Sequence, residues 1–399
     1  MILLASLFAA ASPYDTTDPK LLVAYAHQVH QHGSSGLSLQ LALTAVEFAR
    51  GKDPHTLARA LNWAGWIYGD LGRPDLALVC LQQARQIGEE LGSESIRGLA
   101  IQEIGNNLRR LGRLDEAAAA ATESVAIARS LGIRDGITEG NAILAEVALV
   151  RGDLDGAEAL LLEAEQVAVE MGYGLAACVA RETMGRVYLR GEAPDAARVA
   201  FSNALETARE HELPRCEAAA LTGLARVEPD AERAWTRVEE ALVVYERTES
   251  EAEAAAWAVA GATLLELQEL ERAQQSLAYA LDLLRQANTT LGDTLTEQAV
   301  LAGLVGEEAA AVRLALDALD AYQSAGDLDR LWALHLAVGE SWEAAGRPGE
   351  ALAHYRSALD ALDALPPVAT FPEEKEQRRE ATVGLLERIQ ALERPGWGG

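Results

Sequence analysis

The sequence predicts an all-α protein: a right-handed α-solenoid, or superhelix, of about nine antiparallel helix pairs with a C-terminal capping helix. Composition is the first observation behind this prediction. Ala, Leu and Glu dominate and only 5% of the residues are aromatic, which is typical of packed helices. The second observation is periodicity, because a small residue recurs every 38 to 40 residues along most of the chain. A fixed period of that length indicates a repeat architecture in which each unit packs on its neighbours.

The repeating unit is clearest between Ile101 and Gly132. A small residue, here Gly105, lies in the first helix, and an alanine follows twelve residues later in the second helix. Small residues at fixed places on both helices allow the two backbones to approach closely. The small residues of the first helices are Gly65, Gly105, Ala145, Gly185, Gly223, Gly261, Ala299 and Gly339.

The connections between helices carry their own signals. The motifs GRPD at 72–75 and GRLD at 112–115 place Pro or Asp in the first turn of a second helix, where free N–H groups and the positive end of the helix dipole favour them. Gly92, Gly132 and Gly172 are again 40 residues apart. We expect each of them to end a second helix in the left-handed conformation.

The array is expected to follow an N-terminal apolar segment, residues 1–17, and to cover residues 18–365. We expect the apolar segment to be a capping helix over the open end of the array. A secretory signal is the alternative, because residues 1–12 are apolar and end in small residues, although no Lys or Arg precedes them.

One unit within the array is irregular. It begins at Pro214, and Trp235 stands where the other units place the first alanine of the second helix. We expect a shortened turn here, with Pro229 starting the second helix and a local change in the curvature of the superhelix.

The C-terminal part is divided by composition. A connector is predicted at 366–371, a capping helix at 372–393 and a flexible tail at 394–399. Solenoids need such a cap, because the last repeat would otherwise expose its apolar face. The apolar stripe of the capping helix is expected to consist of Val383, Leu386, Ile389 and Leu392.

The pattern of small and large residues resembles the tetratricopeptide repeat. The family pattern W-x2-L-G-x2-Y, then A-x3-F, then A, is matched by Ile101, Ile104, Gly105, Leu108, Ala117, Ala121 and Ser124. The resemblance covers about residues 20–365. The usual unit of this family has about 34 residues, and the longer units found here resemble those of kinesin light chains and of MalT-type bacterial regulators.

This resemblance implies a peptide-binding groove, because in the family ligands contact residues that project from the first helices. Asn and Gln suit such a groove, since they both donate to and accept from a peptide backbone. Arg109 and Arg186 are expected to clamp a carboxylate through paired hydrogen bonds. The alternative is that these side chains only form the polar lining of a solvated groove. By register, the candidates are Asn62, Trp66, Gln102, Asn106, Arg109, Glu146, Glu182 and Arg186.

No catalytic motif is present in the sequence. It lacks HExxH, GxSxG and the phosphate-binding GxxxxGK[ST]. His27 and His30 share a helix face, but no third metal ligand is close in sequence, so we expect an exposed polar face there. The chain is therefore expected not to be an enzyme and to use no cofactor and no metal.

The formal net charge of −27 bears on partners. Such a surface repels phosphate backbones and anionic lipid, which argues against nucleic acid and membrane partners. It favours a protein or peptide of basic character, although acidity equally suits the solubility of a long Ala-rich array.

The three cysteines, Cys80, Cys178 and Cys216, lie far apart, and each falls in a predicted helix. Because their number is odd and no CxxC pair exists, they do not predict a disulfide framework. We expect small core residues in a reducing compartment, the cytoplasm. Export is the alternative if residues 1–12 are a signal segment.

Two hypotheses for function follow. In the first, the chain is a non-enzymatic interaction scaffold whose concave groove binds a peptide or a protein. In the second, it is a signal-sensing array that binds a small ligand or peptide and relays the signal to an effector in another polypeptide.

Overall fold

The computed structural model describes residues 17–31, 35–246, 253–287 and 292–393. Most of the expected N-terminal segment and the expected C-terminal tail lie outside the described residues. Nineteen helices and no strand are found in the described part of the chain. The predicted all-α solenoid is therefore confirmed.

The first eighteen helices form nine antiparallel pairs, in which odd-numbered helices come first. They are α1 (Pro19–Gln31), α2 (Ser35–Ala49), α3 (Pro54–Asp70), α4 (Pro74–Glu90), α5 (Glu94–Arg110), α6 (Leu114–Leu131), α7 (Arg134–Val150), α8 (Leu154–Met171), α9 (Gly174–Arg190), α10 (Pro194–Glu210), α11 (Pro214–Arg226), α12 (Ala231–Tyr245), α13 (Glu253–Glu266), α14 (Leu270–Ala287), α15 (Gly292–Leu304), α16 (Glu308–Ala325), α17 (Leu328–Ala344) and α18 (Pro348–Ala364). The last helix, α19 (Pro372–Glu393), follows the ninth pair.

The length of the helices explains the long repeat. Helices α3 to α10 each contain 17 or 18 residues, and short turns connect them. First helices also contact the first helices of the neighbouring pairs, from α1 and α3 through to α13 and α15. Because these contacts draw the first helices together, we place them on the inner side of the curved array.

The small residues pack as the sequence predicts. A Cβ atom at Gly65 would lie 2.5 Å from Leu81 Cγ, and one at Gly185 would lie 2.5 Å from Phe201 Cε1. Each glycine thus faces the large core residue of its own second helix, and a larger side chain would overlap that residue. Most of the alanines twelve residues later, including Ala77, are completely buried, whereas Ala311 is partly exposed.

The predicted caps are also confirmed. Gly92, Gly132 and Gly172 have φ angles of +62°, +68° and +67°. L-residues with side chains rarely adopt this conformation, so glycine is the residue that ends these second helices at lowest cost.

The irregular unit differs from the expectation. Helix α11 ends at Arg226 after only 13 residues, and the turn that follows has four residues, 227–230, rather than fewer. Helix α12 begins at Ala231, because Asp230 caps it by accepting a hydrogen bond from the backbone N of Arg233 at 2.9 Å. The prediction of a shortened turn with Pro229 as helix start was wrong, since the helix is shortened instead.

The structure contains a disulfide that the sequence did not predict. Cys178 on α9 and Cys216 on α11 are bonded, with their Cα atoms 6.4 Å apart. The two residues occupy the same position in consecutive first helices, so the solenoid packing brings together cysteines that are 38 residues apart in sequence. Cys80 remains a free, partly buried thiol.

Successive turns of the superhelix touch along their edges. Arg190, the last residue of α9, is 2.8 Å from Asp327 and 2.7 Å from Asp329 at the start of α17. Asp155 on α8 accepts hydrogen bonds from the backbone N atoms of Ala369 and Thr370 in the connector, at 2.7 and 2.9 Å. The array therefore curls until residues more than 130 positions apart meet.

The apolar stripe of α19 is shifted from the prediction. Ile389 is buried and Leu392 packs on the core as expected, but Val383 and Leu386 are exposed, and Leu385 is buried in their place. Leu385, Ile389 and Leu392 are four and three residues apart, which keeps them on the face that meets α18. None of the described helices is long and apolar enough to cross a membrane.

Candidate functional site

The predicted groove residues lie on four consecutive first helices, α3, α5, α7 and α9. We call the space on the inner face of the first helices the lumen. It is defined by five side chains from α5, α7 and α9, which form one connected set of polar contacts: Asn106, Arg109, Glu146, Glu182 and Arg186.

Glu146 is the centre of this set. Arg109 Nη1 lies 2.5 Å from one carboxylate oxygen of Glu146, and Arg186 Nη2 lies 2.6 Å from the other. Arg186 Nε is also 3.2 Å from Glu182 Oε1. Arg109 Nη2 donates to Asn106 Oδ1 at 3.1 Å. The two arginines expected to clamp a ligand carboxylate are thus already engaged by a carboxylate of the chain.

The charges of this set lie in a recess that still admits water. The side chains of Glu146 and Arg186 are 19% and 34% exposed. Burial alone would raise the pKa of Glu146, but Arg109 and Arg186 lower it to about 2. Burial acts to lower the pKa of Arg186, whereas Glu182 and Glu146 raise it, and the net shift is upward.

A second polar group surrounds Glu139 on α7. Gln102 donates a hydrogen bond to one of its carboxylate oxygens, and Tyr173 Oη donates to the other at 2.8 Å. Glu103, beside Gln102, is partly buried, and its Oε2 atom, which is shielded from solvent, has no hydrogen-bond partner in the described residues. Burial and the nearby Glu139 raise the pKa of Glu103 to about 7. Gln102 therefore takes part in a network of hydrogen bonds within the chain that joins neighbouring repeats.

Asn62 and Trp66 lie near the N-terminal end of the array. The ring of Trp66 packs at an angle against those of Trp63 and His30, at ring-centroid distances of 4.6 and 4.4 Å. His30 is buried in this aromatic cluster, so the expected exposed polar face is wrong for His30. His27 is exposed, as expected, and its ring packs against Trp63.

The amide of Asn62 is unusual. Asn62 is only 4% exposed, yet neither its Nδ2 nor its Oδ1 has a hydrogen-bond partner in the described part of the chain. Buried amides without partners are costly, and they commonly bind water or a ligand. Asn62 therefore stays a candidate for contact with a peptide backbone.

Charged residues near the C-terminal half of the lumen were missed from the sequence. Arg330 Nη2 on α17 is 3.5 Å from Asp293 Oδ2 on α15, and their side chains are 43% and 50% exposed. Arg226 is the last residue of α11; burial lowers its pKa, Asp293 opposes this change and Arg330 adds to it. The sequence does show that Arg226, like Arg190, ends a first helix. The register of the repeat, however, does not indicate which first helices lie close to one another in the lumen.

The comparisons with known proteins agree with this architecture. The tetratricopeptide repeat family model matches residues 56–130. The resemblance seen in the sequence is therefore confirmed, and the fold is that of a tetratricopeptide-type helical array. No curated protein sequence matches the chain.

Two solved structures of similar fold cover almost the whole chain. One is a Rap protein complexed with competence and sporulation factor, which is 10% identical, with a TM-score of 0.54, covering 94% of this chain and 99% of its own. The other is the Rap conjugation gene regulator of plasmid pLS20 in complex with the Phr* peptide. It is 12% identical, with a TM-score of 0.53, covering 96% of this chain and 99% of its own. At these identities the likeness is one of fold.

Proposed function

We propose that this protein is a non-enzymatic, peptide-binding regulatory scaffold whose lumen holds a short peptide. The observation that carries the proposal is the connected polar set of the lumen, in which Asn106, Arg109, Glu146 and Arg186 come from three consecutive first helices. Such a set presents donors and acceptors along the length of an extended chain. Two proteins of similar fold were each solved with a peptide or factor bound, which supports a peptide as the ligand.

Charge favours a peptide with basic residues. The chain carries a formal net charge of −27, and such a field raises the rate at which cationic ligands arrive. Salt screens this contribution over about 8–10 Å. A peptide held mainly by steering should therefore be lost at high salt, whereas one held in the lumen should be retained.

The test is a peptide capture experiment. Immobilised protein is incubated with a synthetic library of short peptides, and the retained peptides are identified by mass spectrometry at low and high salt. Asn106→Ala should weaken capture, because it removes a lumen amide, while the exposed Gln83→Ala on α4 serves as a matched control on the outer helices. Equal capture by both variants, or no capture by the unmodified protein, would count against the proposal.

A signal-relay role is the second candidate. One protein of similar fold is described as a conjugation gene regulator in complex with a peptide. By this proposal, peptide binding changes the curvature of the array and an effector in another polypeptide responds. Co-purification of one protein partner only in the presence, or only in the absence, of a captured peptide would support this role. A partner that binds equally in both conditions would argue against it.

A further inference from the structure

A polar cluster joins the first two helix pairs to the sixth pair. His30 near the end of α1, Ser35 at the start of α2 and Asp70 at the end of α3 meet Arg215 in the first turn of α11. Arg215 is 145 positions from Asp70 and 185 positions from His30 in the sequence. The cluster is therefore a contact between successive turns of the superhelix. We call these four residues the latch.

Arg215 closes the latch through both ends of its guanidinium. Its Nη1 atom donates to Asp70 Oδ2, and its Nη2 atom donates to Ser35 Oγ at 2.9 Å. The side chains of Arg215 and Asp70 are 27% and 15% exposed. Because water reaches this ion pair only in part, removal of either partner leaves a poorly solvated charge.

His30 lies against the same carboxylate. Its Nε2 atom is 3.3 Å from Asp70 Oδ2 and 3.3 Å from Arg215 Nη1. Its Nδ1 atom is 3.5 Å from Ser35 Oγ. Only 5% of its side chain is exposed. His30 is thus within reach of Asp70, which Arg215 already holds.

The charges of the closed latch oppose protonation of His30. Asp70 brings one negative charge, whereas Arg215 and Arg110, whose Nη2 atom is 3.9 Å from Asp70 Oδ1, bring two positive charges. A proton on His30 would add a third positive charge beside a single carboxylate. Burial and Arg215 lower the pKa of His30 to about 4. His30 is therefore neutral at pH 7 while the latch is closed.

The remaining groups that face His30 come from α1 and α3. The rings of Trp63 and Trp66 lie at centroid distances of 6.0 and 4.4 Å. His27, one turn earlier on α1, packs on the ring of Trp63 at 4.9 Å. Apart from His27, the titratable and charged partners in this cluster are thus the carboxylate and the two guanidinium groups described above.

We propose that the latch opens in weak acid, when Asp70 exchanges Arg215 for protonated His30 and the first two helix pairs separate from α11. His30 and Asp70 belong to these same two pairs, so their ion pair survives the separation, whereas the pair with Arg215 does not. Opening lengthens the pitch of the superhelix at its N-terminal end. The latch goes beyond the proposed function, because it acts whether or not a peptide is bound.

Proton linkage gives the direction and the range of the response. The pKa of His30 is about 4 in the closed state. Once Arg215 has left and water enters, the pKa returns to its ordinary value of 6.5 or rises above it beside Asp70. The open state therefore binds the proton more tightly, and acid favours it. The ratio of open to closed molecules should rise by about tenfold for each pH unit from 6.5 down to 4.

The test measures the distance across the latch in the full chain. Spin labels are attached at Arg73→Cys, in the turn after α3, and at Glu210→Cys, at the end of α10. The background is Cys80→Ser, which removes the free thiol and leaves the disulfide intact. Pulsed electron paramagnetic resonance should show a short distance at pH 7.5 and a growing population at a longer distance at pH 5. Helicity by circular dichroism should not change.

Two histidine variants identify the proton acceptor. His30→Gln cannot take up the proton and should keep the short distance at both pH values. His27→Gln removes an exposed histidine of the same helix and should keep the response of the unmodified latch. The proposal is overturned by equal distances at pH 7.5 and 5 in the unmodified latch, or by a response to acid that persists in His30→Gln.

An NMR titration of the histidine rings tests the latch without altering His30. In the unmodified protein His30 should titrate below pH 6.5, and Arg215→Gln should raise its titration by at least one pH unit. Arg233→Gln removes an exposed arginine on α12 and should leave the titration unchanged. Equal titration of His30 with and without Arg215 would contradict the proposal. Since none of these measurements uses a peptide, the latch and the proposed function are tested separately.

Discussion

At the scale of single residues, two glutamates of neighbouring inner helices behave in opposite ways. Glu146 lies between two arginines, and Glu103 lies beside another acid. The register of the repeat predicted that Glu146 faces inward. It did not predict that Arg109 and Arg186 hold it, because such pairing depends on the angle between successive first helices and on rotamers that a period cannot specify.

Glu146→Gln should destabilise the protein at neutral pH and much less in acid. The folded-state pKa of Glu146 is about 2, below its ordinary value of 4.5, so its contribution is complete above pH 4.5 and is lost as the pH falls through 2. At neutral pH this contribution is about 3 kcal/mol at most. Urea unfolding of both proteins across this range measures it, with the exposed Glu239→Gln as control. A difference that does not change with pH would contradict the prediction.

Glu103→Gln should have the opposite pH dependence. The folded-state pKa of Glu103 is about 7, above its ordinary value of 4.5, because of burial and Glu139. The unmodified protein therefore loses stability as the pH rises from 4.5 through 7, whereas the neutral amide does not. Relative to the unmodified protein, the variant should gain up to about 3 kcal/mol between acid and weakly alkaline solution. Parallel stability curves for the two proteins would exclude this explanation.

At the scale of helices and turns, the sequence was most informative. Small residues, caps and turn motifs act over a few residues or within one helix pair. The predictions made from them agree with the structure at Gly65, Gly92 and Gly132. The prediction was wrong where one element depends on another. Which apolar residues of α19 are buried depends on the angle at which it packs on α18, and the sequence does not give that angle. The irregular unit likewise has a short helix, α11, where the sequence predicts a short turn.

Two glycine substitutions test the packing argument at this scale. A Cβ at Gly185 would lie 2.5 Å from the buried ring of Phe201, whereas nothing lies within 4 Å of one at Gly384 on α19. Gly185→Ala should therefore destabilise the protein by about 1–3 kcal/mol through overpacking. Gly384→Ala should stabilise it by about 0.5–1 kcal/mol, because alanine is the better helix former. Thermal unfolding of both variants decides this, and equal shifts would contradict it.

At the scale of the whole molecule, contacts between superhelical turns decide how tightly the array is curled. Arg190 meets Asp327 and Asp329 across more than 130 residues of sequence. No local pattern encodes such a contact, because it depends on the accumulated rotation of several repeats. This is why the period predicted the array and the inner face, but not which charges meet between successive turns of the superhelix.

Arg190→Gln should loosen the superhelix without unfolding the helix pairs. The three side chains are largely buried, and the variant leaves two carboxylates without their cation. Small-angle X-ray scattering should show a larger radius of gyration, with helicity by circular dichroism unchanged. Arg129→Gln removes a more exposed ion pair with Glu163 and should leave the radius unchanged. An unchanged radius in Arg190→Gln would show that other contacts close the array.

The bond between Cys178 and Cys216 gives this array a feature that a plain stack of repeats lacks. It encloses all of α10 in a covalent ring, because the bonded residues are one repeat apart. Repeat arrays can fray unit by unit from their ends, but the pairs joined by this ring cannot separate while the bond is intact. By loop entropy the ring is worth about 4 kcal/mol. Hydrogen exchange should therefore show α9 to α11 opening together in the oxidised protein and separately after reduction. Reduction would thus divide one cooperative unit in the middle of the array into units that unfold independently.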